Sequence, residues 1–211
     1  MKLLALVLSA LAVLALPAAP AFAQGERIVA PAGGISIEKP RGWNILPPDE
    51  AMENLRGLRF DDPRVQRAIG SGNAPFIVLL KYPADTEGIN PTLKVNYRPL
   101  PPSLRGKSAV EVLSMLFESM RTTVNDVVLL DPPAPVQFAG GTGAHFRLSY
   151  TLVGSAGTPY KVISEMWMTL RGDYAVILGA GYGADEPPAT AAEIAAASRT
   201  FRLEGDGPPQ R

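Results

Sequence analysis

The sequence predicts an α+β protein in which a twisted antiparallel sheet is flanked by helices. Residues 127–183 consist almost entirely of segments in which apolar and polar side chains alternate, separated by clusters of turn-forming residues, as in a meander of antiparallel strands. Two capped helical segments stand outside that run. Ser108 and Glu111 have the spacing of a capping box, and so do Thr190 and Glu193.

The first 23 residues have the pattern of a secretion signal. Lys2 is the only charged residue in 1–23, a long apolar run follows it, and small residues stand on both sides of Phe22. We expect cleavage after Ala23 and a periplasmic or secreted location. The alternative is a membrane anchor, but Pro17 interrupts the apolar run before the roughly 20 residues that a spanning helix needs.

Composition narrows the class of protein. Removing 23 of 211 residues leaves 188, enough for one domain with a substantial core. We expect a lead (24–32), a single α+β domain (33–203), a disordered tail (204–211) and no further membrane span. The 20 basic and 20 acidic residues balance, and no basic stripe indicates nucleic acid as a partner. The absence of cysteine excludes disulfides and thiolate chemistry, and it is typical of a bacterial periplasmic protein.

The opening of the domain predicts a hairpin. Ile35 and Ile37 alternate with polar residues, as in a half-buried strand. Pro40 cannot donate to a ladder and Gly42 permits a positive φ, so the chain can turn there. We expect Trp43 to anchor the second strand in the core.

The remaining elements follow in order. The insert 47–72 predicts two short helices, whereas 74–83 is a continuous apolar run typical of a buried strand, and 93–97 alternates as a half-exposed one. The first capped helix should cover 108–122 with one apolar stripe. The meander should break at DPPAP, AGGTG, GSAGTP and RGD, and the second helix, at about 191–199, should lead into a short strand, RTFRL.

This order of elements resembles the PsbP-like superfamily, which includes PsbP and the DcrB-like proteins of bacterial envelopes. The resemblance is found in ISIEKPRGWNI, GAHFRLSYTLV, YKVISEMWMTLRGDYAVILGAG and AAASRTFRL, and it covers nearly all of 33–203. It implies a PsbP-like α/β/α sandwich, usually without catalytic machinery. The insert at 47–72 matches the family less easily.

His145 is the only histidine, so the chain offers neither a histidine pair for a metal nor a second imidazole for a relay. The strands on either side of GSAGTP should pair, and matching their apolar faces places Phe146 opposite Met168. The other face then holds three further pairs: His145 with Thr169, Arg147 with Trp167, and Ser149 with Glu165.

These pairs define a candidate ligand or partner patch of His145, Arg147, Glu165 and Trp167. On a functional interpretation, a polar ligand or a protein would bind there, and Arg147 over Trp167 would make a cation–π contact. On a structural interpretation, which we favour, the patch is a solvated or helix-covered face stabilised by cross-strand pairs.

We predict no catalytic, cofactor-binding or metal-binding residue and no cofactor. The sequence has no G-x-S-x-G elbow, and GGTG and GAGYG lack the Lys-Ser/Thr of a phosphate loop. The leading hypothesis is therefore a non-enzymatic exported domain that acts through its surface on an unidentified envelope protein. A small-molecule carrier that uses the 143–171 hairpin is the alternative, and a hydrolase ranks third.

Overall fold

The computed structural model describes residues 25–47, 49–50, 75–124, 126–153 and 157–204. The predicted signal peptide, nearly all of the insert with its two predicted helices, and most of the predicted tail lie outside the described residues. Within the described ranges, no helix is long and apolar enough to cross a membrane.

The strands, in chain order, are β1 (Arg27–Ala30), β2 (Ile35–Glu38), β3 (Asn44–Ile45), β4 (Ile77–Leu80), β5 (Thr92–Pro99), β6 (Val128–Phe138), β7 (Gly141–Val153), β8 (Pro159–Arg171), β9 (Tyr174–Gly183) and β10 (Arg202–Leu203). Seven of them form the main sheet, in the spatial order β3-β4-β5-β9-β8-β7-β6. All neighbours are antiparallel, and β6 to β9 form the predicted meander.

Helices cover both faces of the main sheet, which confirms the predicted α+β class. Helix α1 (Ala109–Arg121) packs on the face that holds Phe146, Leu148 and Met168. Helix α2 (Pro188–Thr200) packs on the opposite face, where its Ile194 lies in one core with Leu178. We call these the α1 face and the α2 face.

A second, three-stranded sheet corrects the predicted opening hairpin. β2 pairs with β1 and β10, whereas β3 pairs with β4 in the main sheet. The first hairpin is therefore β1–β2, and β1 lies within the stretch predicted as a lead. The reason is burial: Ile35 and Ile37 are fully buried, so β2 is an interior strand that needs a partner on each side.

The Pro40–Trp43 corner passes the chain from the small sheet to the main one. The Trp43 N–H donates to the carbonyl of Pro40 at 3.1 Å, and Gly42 has a φ of 80°. Trp43 is buried in the core of the α2 face, as predicted, and its Nε1 donates to Glu193 of α2 at 3.0 Å. The tryptophan therefore holds α2 against the start of the main sheet.

The prediction for α1 is confirmed. Ser108 caps the helix: its Oγ accepts the Glu111 N–H at 3.2 Å, and the Glu111 carboxylate accepts the Ser108 N–H at 2.8 Å. The hydrogen bonds that Ser108 donates lower the pKa of Glu111. Val112 and Leu113 are buried on the side of α1 that faces the sheet.

The predicted second capping box is wrong. Helix α2 begins at Pro188, where the missing N–H costs no hydrogen bond and the fixed φ suits the first turn. Thr190 lies inside the helix, fully buried, and its hydroxyl donates to the carboxylate of Glu186 at 2.9 Å. Glu193 instead forms an ion pair with Lys81 at 3.1 Å. The two side chains therefore contact Lys81, the residue after β4, and do not form a cap.

The prolines of DPPAP do not end a strand, contrary to the prediction. β6 continues through them at the edge of the sheet, with register shifts between Leu129 and Asp131 and between Asp131 and Ala134. An edge strand tolerates proline because one of its sides has no ladder partner, and bulges accommodate the misfit. The breaks at 139–140 and at RGD are turns, as predicted.

Strands β4 and β5 match their predictions. All four residues of β4 are buried, and β5 buries Leu93, Val95 and Tyr97 while exposing Lys94 and Arg98. β9 lies between β5 and β8 in the middle of the sheet.

Candidate functional site

The register of β7 and β8 differs by two residues from the prediction. His145 is opposite Trp167, Arg147 is opposite Glu165, and Phe146 is opposite Met166. The prediction excluded Pro159 from the strand, but β8 begins at this proline. Proline is tolerated at the first position of a strand. Because a shift of two residues preserves which side chains share a face, the four residues of the candidate patch do lie together, on the α2 face.

The patch is largely inside the protein. Trp167 is 8% exposed and Glu165 is 7% exposed, while His145 and Arg147 are partly exposed. Trp167 belongs to the core that also contains Ile194 of α2. This burial agrees with a helix-covered face and leaves Arg147 and the rim of His145 as the parts open to solvent.

The aromatic contact of Trp167 is with His145 rather than with Arg147. The two rings stack with centroids 4.6 Å apart and an interplanar angle of 29°. The prediction of a cation–π pair between Arg147 and Trp167 depended on the predicted register. In the observed register, Arg147 is opposite Glu165 instead. The imidazole occupies the ring position where a stacking ligand would otherwise bind.

Glu165 is the centre of a hydrogen-bonded chain. Its Oε1 accepts the hydroxyl of Tyr182 at 2.7 Å, and its Oε2 lies 3.3 Å from Nε2 of His145. Burial on its own raises the pKa of Glu165, but the hydrogen bonds and the charges of His145 and Arg147 outweigh it and hold that pKa below its usual value. The carboxylate is therefore ionised and bonded through both oxygens.

Tyr182 belongs to this site, although the sequence interpretation did not include it. It lies on β9 opposite Ile163, with its side chain on the α2 face. Burial and the neighbouring Glu165 carboxylate raise the pKa of its hydroxyl strongly, and Arg147 acts in the opposite direction. The signal was available: extending the alternation of β9 beyond its glycines places Tyr182 on the same face as Glu165.

Asp131 is the second residue that sequence reasoning missed. Its Oδ2 lies 2.8 Å from Nε of Arg147, and the two residues are opposite each other across β6 and β7. Nε of Arg147 is buried and, among the described residues, makes no hydrogen bond of good geometry, so the contact is an ion pair without a well-directed N–H. Because a break was predicted at DPPAP, Asp131 was not expected to lie in a strand.

Exposed apolar side chains lie on the same two strands as this pair. Val128 is 50% exposed, Leu130 is 40% exposed and Val153 is 56% exposed. The first two are on β6, the outermost strand on this side of the main sheet, and Val153 ends the adjacent β7. We call Val128, Leu130, Arg147 and Val153 the edge surface.

The site combines a chain of hydrogen bonds with an adjacent ion pair. Tyr182, Glu165 and His145 form one chain, and Arg147 and Asp131 form an ion pair next to it. In the described part of the chain, no group of three His, Cys, Asp or Glu residues could hold a metal ion.

Comparison with known proteins shows that the fold of this chain is similar to those of several solved structures. No protein-family profile and no curated protein matches the chain. Three solved structures are similar: LpqN, involved in cell envelope biogenesis of Mycobacterium tuberculosis (12% identity, 81% of this chain and 83% of that one, TM-score 0.49); the Ran-binding protein Mog1p of Saccharomyces cerevisiae (14%, 84% and 94%, 0.49); and the cyanobacterial PsbP of Synechocystis (12%, 86% and 93%, 0.47).

A PsbP structure is among them, as the resemblance in the sequence predicted. The likeness concerns the arrangement of strands and helices. At these identities and TM-scores, nothing about activity, ligand or partner is transferred from the three proteins to this chain.

Proposed function

We propose that this chain is an exported, non-enzymatic domain that binds a protein partner through the edge surface. The observation that supports this best is the exposure of Val128, Leu130 and Val153 on the two strands that also carry Asp131 and the partly exposed Arg147. Apolar side chains on the same strands as a cation offer both desolvation energy and a directional contact, as binding surfaces do. Export is proposed from the signal-like residues 1–23 alone.

Binding at this edge would use side chains rather than an added strand. Pro132, Pro133 and Pro135 lack N–H groups, so β6 cannot provide a continuous ladder for a strand from a partner. Val128 and Leu130 project at the end of β6 where the chain has no proline. A partner with an apolar side chain and a carboxylate for Arg147 fits this arrangement.

Site-specific photocrosslinking in the native cell tests the proposal. A photoreactive amino acid replaces Val128 in one strain and Met115 in another, since Met115 is an exposed apolar residue on α1, which packs on the face of the sheet opposite to that of Arg147. We expect a discrete crosslinked protein from position 128 and none from position 115. The V128D/L130D double variant should lose that partner, whereas the M115D variant should keep it. Equal crosslinking from both positions would contradict the proposal that the edge surface binds the partner.

The carrier alternative has less support at the predicted patch. Ligand stacking would need a free face of Trp167, but that ring is buried and stacked on His145. A carrier would raise its melting temperature when offered its metabolite, and His145→Ala would abolish the increase. A screen that yields such a ligand would overturn the preference for a protein partner.

A further inference from the structure

We propose that a trough on the α1 face of the main sheet binds a small carboxylate ligand with an apolar chain, and that Lys94 pairs with its charge. The trough lies where β5 and β9 run side by side in the middle of the sheet. Leu93, Val95 and Tyr97 of β5 belong to the core of the α2 face, so the residues that alternate with them lie on the α1 face. We define the trough by Thr92, Lys94, Asn96, Gly179 and Gly181.

The face is covered on both sides of the trough. On one side, α1 contacts β6, β7 and β8. On the other side, Val78 and Leu80 of β4 are buried together with Leu46. Between these two regions, Thr92 and Gly181 are partly exposed, although their strands are interior strands of a seven-stranded sheet. The open strip is two strands wide, roughly 10 Å, which suits a slim ligand.

Two glycines form the floor of the trough. Lys94 is opposite Gly179, and Thr92 is opposite Gly181. Cε of Lys94 lies 3.7 Å from the position that a Cβ on Gly179 would take, so the lysine stem crosses β9 there. No atom of the described residues lies within 4 Å of the corresponding position at Gly181. Glycine inside a strand weakens it and often marks the close approach of a ligand, and the space over Gly181 has room for one.

Two cations on this face lack an anionic partner within the described part of the chain. Neither Lys94 nor Arg98 makes an ion pair or a hydrogen bond with the described residues, whereas Lys81 and Arg147 pair with carboxylates. Lys94 is exposed, yet desolvation by the surrounding protein and the charge of Arg98 lower its pKa. Exposure and desolvation occur together when a side chain lies in a concavity that is open to solvent. A bound anion would compensate the charge of Lys94 there.

The residues around Lys94 indicate the class of ligand. Asn96 lies between Lys94 and Arg98 on the same face of β5, and its amide can donate to an anionic oxygen. Met166 is opposite Gly179 and Ile177 is opposite Asn96; both are partly exposed and provide apolar contact. A ligand with one carboxylate and a short apolar chain uses both features. The trough is on the opposite face to the candidate patch, and its use does not depend on the edge surface.

Isothermal titration calorimetry of the purified protein at pH 7 with three probes tests the site. Octanoate carries a carboxylate and an apolar chain, octanamide has the same chain without the charge, and acetate has the charge without the chain. We expect octanoate to bind, and the other two probes to bind at least roughly tenfold more weakly, since each lacks one of the two contacts.

Variants locate the binding. Lys94→Gln should weaken octanoate binding roughly tenfold, the scale of one charge-assisted contact, and Lys94→Arg should retain it. Gly181→Val should abolish octanoate binding because its side chain occupies the trough, although both cations remain. Its melting temperature should not fall, because valine suits a strand and meets open space. The V128D/L130D variant is the matched control and should bind octanoate as the wild type does.

Three results would overturn the proposed site. They are equal binding of octanamide and octanoate, octanoate binding that is unchanged in Lys94→Gln or in Gly181→Val, and no binding of octanoate to the wild type. In the last case, a lower melting temperature of Gly181→Val would show that another part of the chain fills the trough. Because the purified protein is titrated without a partner, failure of the proposed function would not affect these measurements.

Discussion

Tyr182 shows how one buried hydroxyl makes stability depend on alkaline pH. Its pKa is raised, first by burial and then by the adjacent Glu165 carboxylate. Above the ordinary tyrosine pKa of about 10, the unfolded chain loses this proton while the folded chain keeps it. The unfolded state then binds fewer protons, so stability falls as the pH rises.

We therefore predict that Tyr182→Phe flattens the loss of stability between pH 9 and pH 11. At pH 7 the variant should be less stable by about 1–3 kcal/mol, because one oxygen of the buried Glu165 loses its donor. Urea unfolding of both proteins across this range measures the two slopes. Tyr160→Phe, a partly exposed tyrosine on β8, is the control. Parallel slopes for wild type and Tyr182→Phe would contradict the assignment.

Glu165 makes the opposite contribution at acid pH. Its folded pKa lies below its ordinary value, so it stabilises the fold above that value and the contribution disappears as the pH falls through the folded pKa. Glu165→Gln should cost about 1 kcal/mol at pH 7, where charge-assisted hydrogen bonds become neutral ones. The difference from wild type should shrink below pH 4, as acid unfolding curves would show. A difference that stays constant down to pH 3 would mean that the carboxylate is not ionised in the fold.

The residues of the candidate patch were predictable as a set but not as pairs. A register shift by an even number of residues leaves His145, Arg147, Glu165 and Trp167 on one face of the sheet. Matching the apolar side chains of the two strands was therefore enough to identify that face. It could not choose between registers two residues apart, because both bury the same apolar set. That choice depends on whether Pro159 belongs to the strand.

Among the elements, α1 was the most predictable because its cap is local. Ser108 and Glu111 satisfy each other's backbone N–H groups without help from the rest of the fold. The same spacing at Thr190 and Glu193 failed because a tertiary partner, Lys81, contacts both side chains, and neither is left to cap the helix. A local motif predicts a cap only where nothing from another element competes for its side chains.

Ser108→Ala should lower the free energy of unfolding by about 1 kcal/mol, within the 0.5–2 kcal/mol range of lost N-caps. Urea denaturation at pH 7 measures this loss. Ser119→Ala is the matched control, since Ser119 is an exposed serine of the same helix that does not cap it. An equal loss in both variants would show that the capping box contributes nothing specific.

At the scale of the whole molecule, the small sheet joins the two ends of the domain. Ser36 on β2 is fully buried, and its hydroxyl lies between the guanidinium of Arg27 and the carboxylate of Glu204. This closure was not predictable, because β1 and β10 are four and two residues long, and Arg27 is 177 residues from Glu204. Segments this short have too little periodicity to reveal their partners.

Phe201 tests whether the two sheets unfold as one unit. It is fully buried between α2 and β10, and its ring stacks on Phe138 of β6 with centroids 5.0 Å apart. Phe201→Ala should cost about 3–5 kcal/mol, as removal of a buried aromatic ring does, and unfolding should remain a single transition in tryptophan fluorescence and far-ultraviolet circular dichroism. Val153→Ala, at an exposed site, should change stability by less than about 0.5 kcal/mol. Two separated transitions in Phe201→Ala would mean instead that the small sheet and α2 form a unit with a stability of their own, so that closure of the chain ends is a separate step from formation of the main sheet.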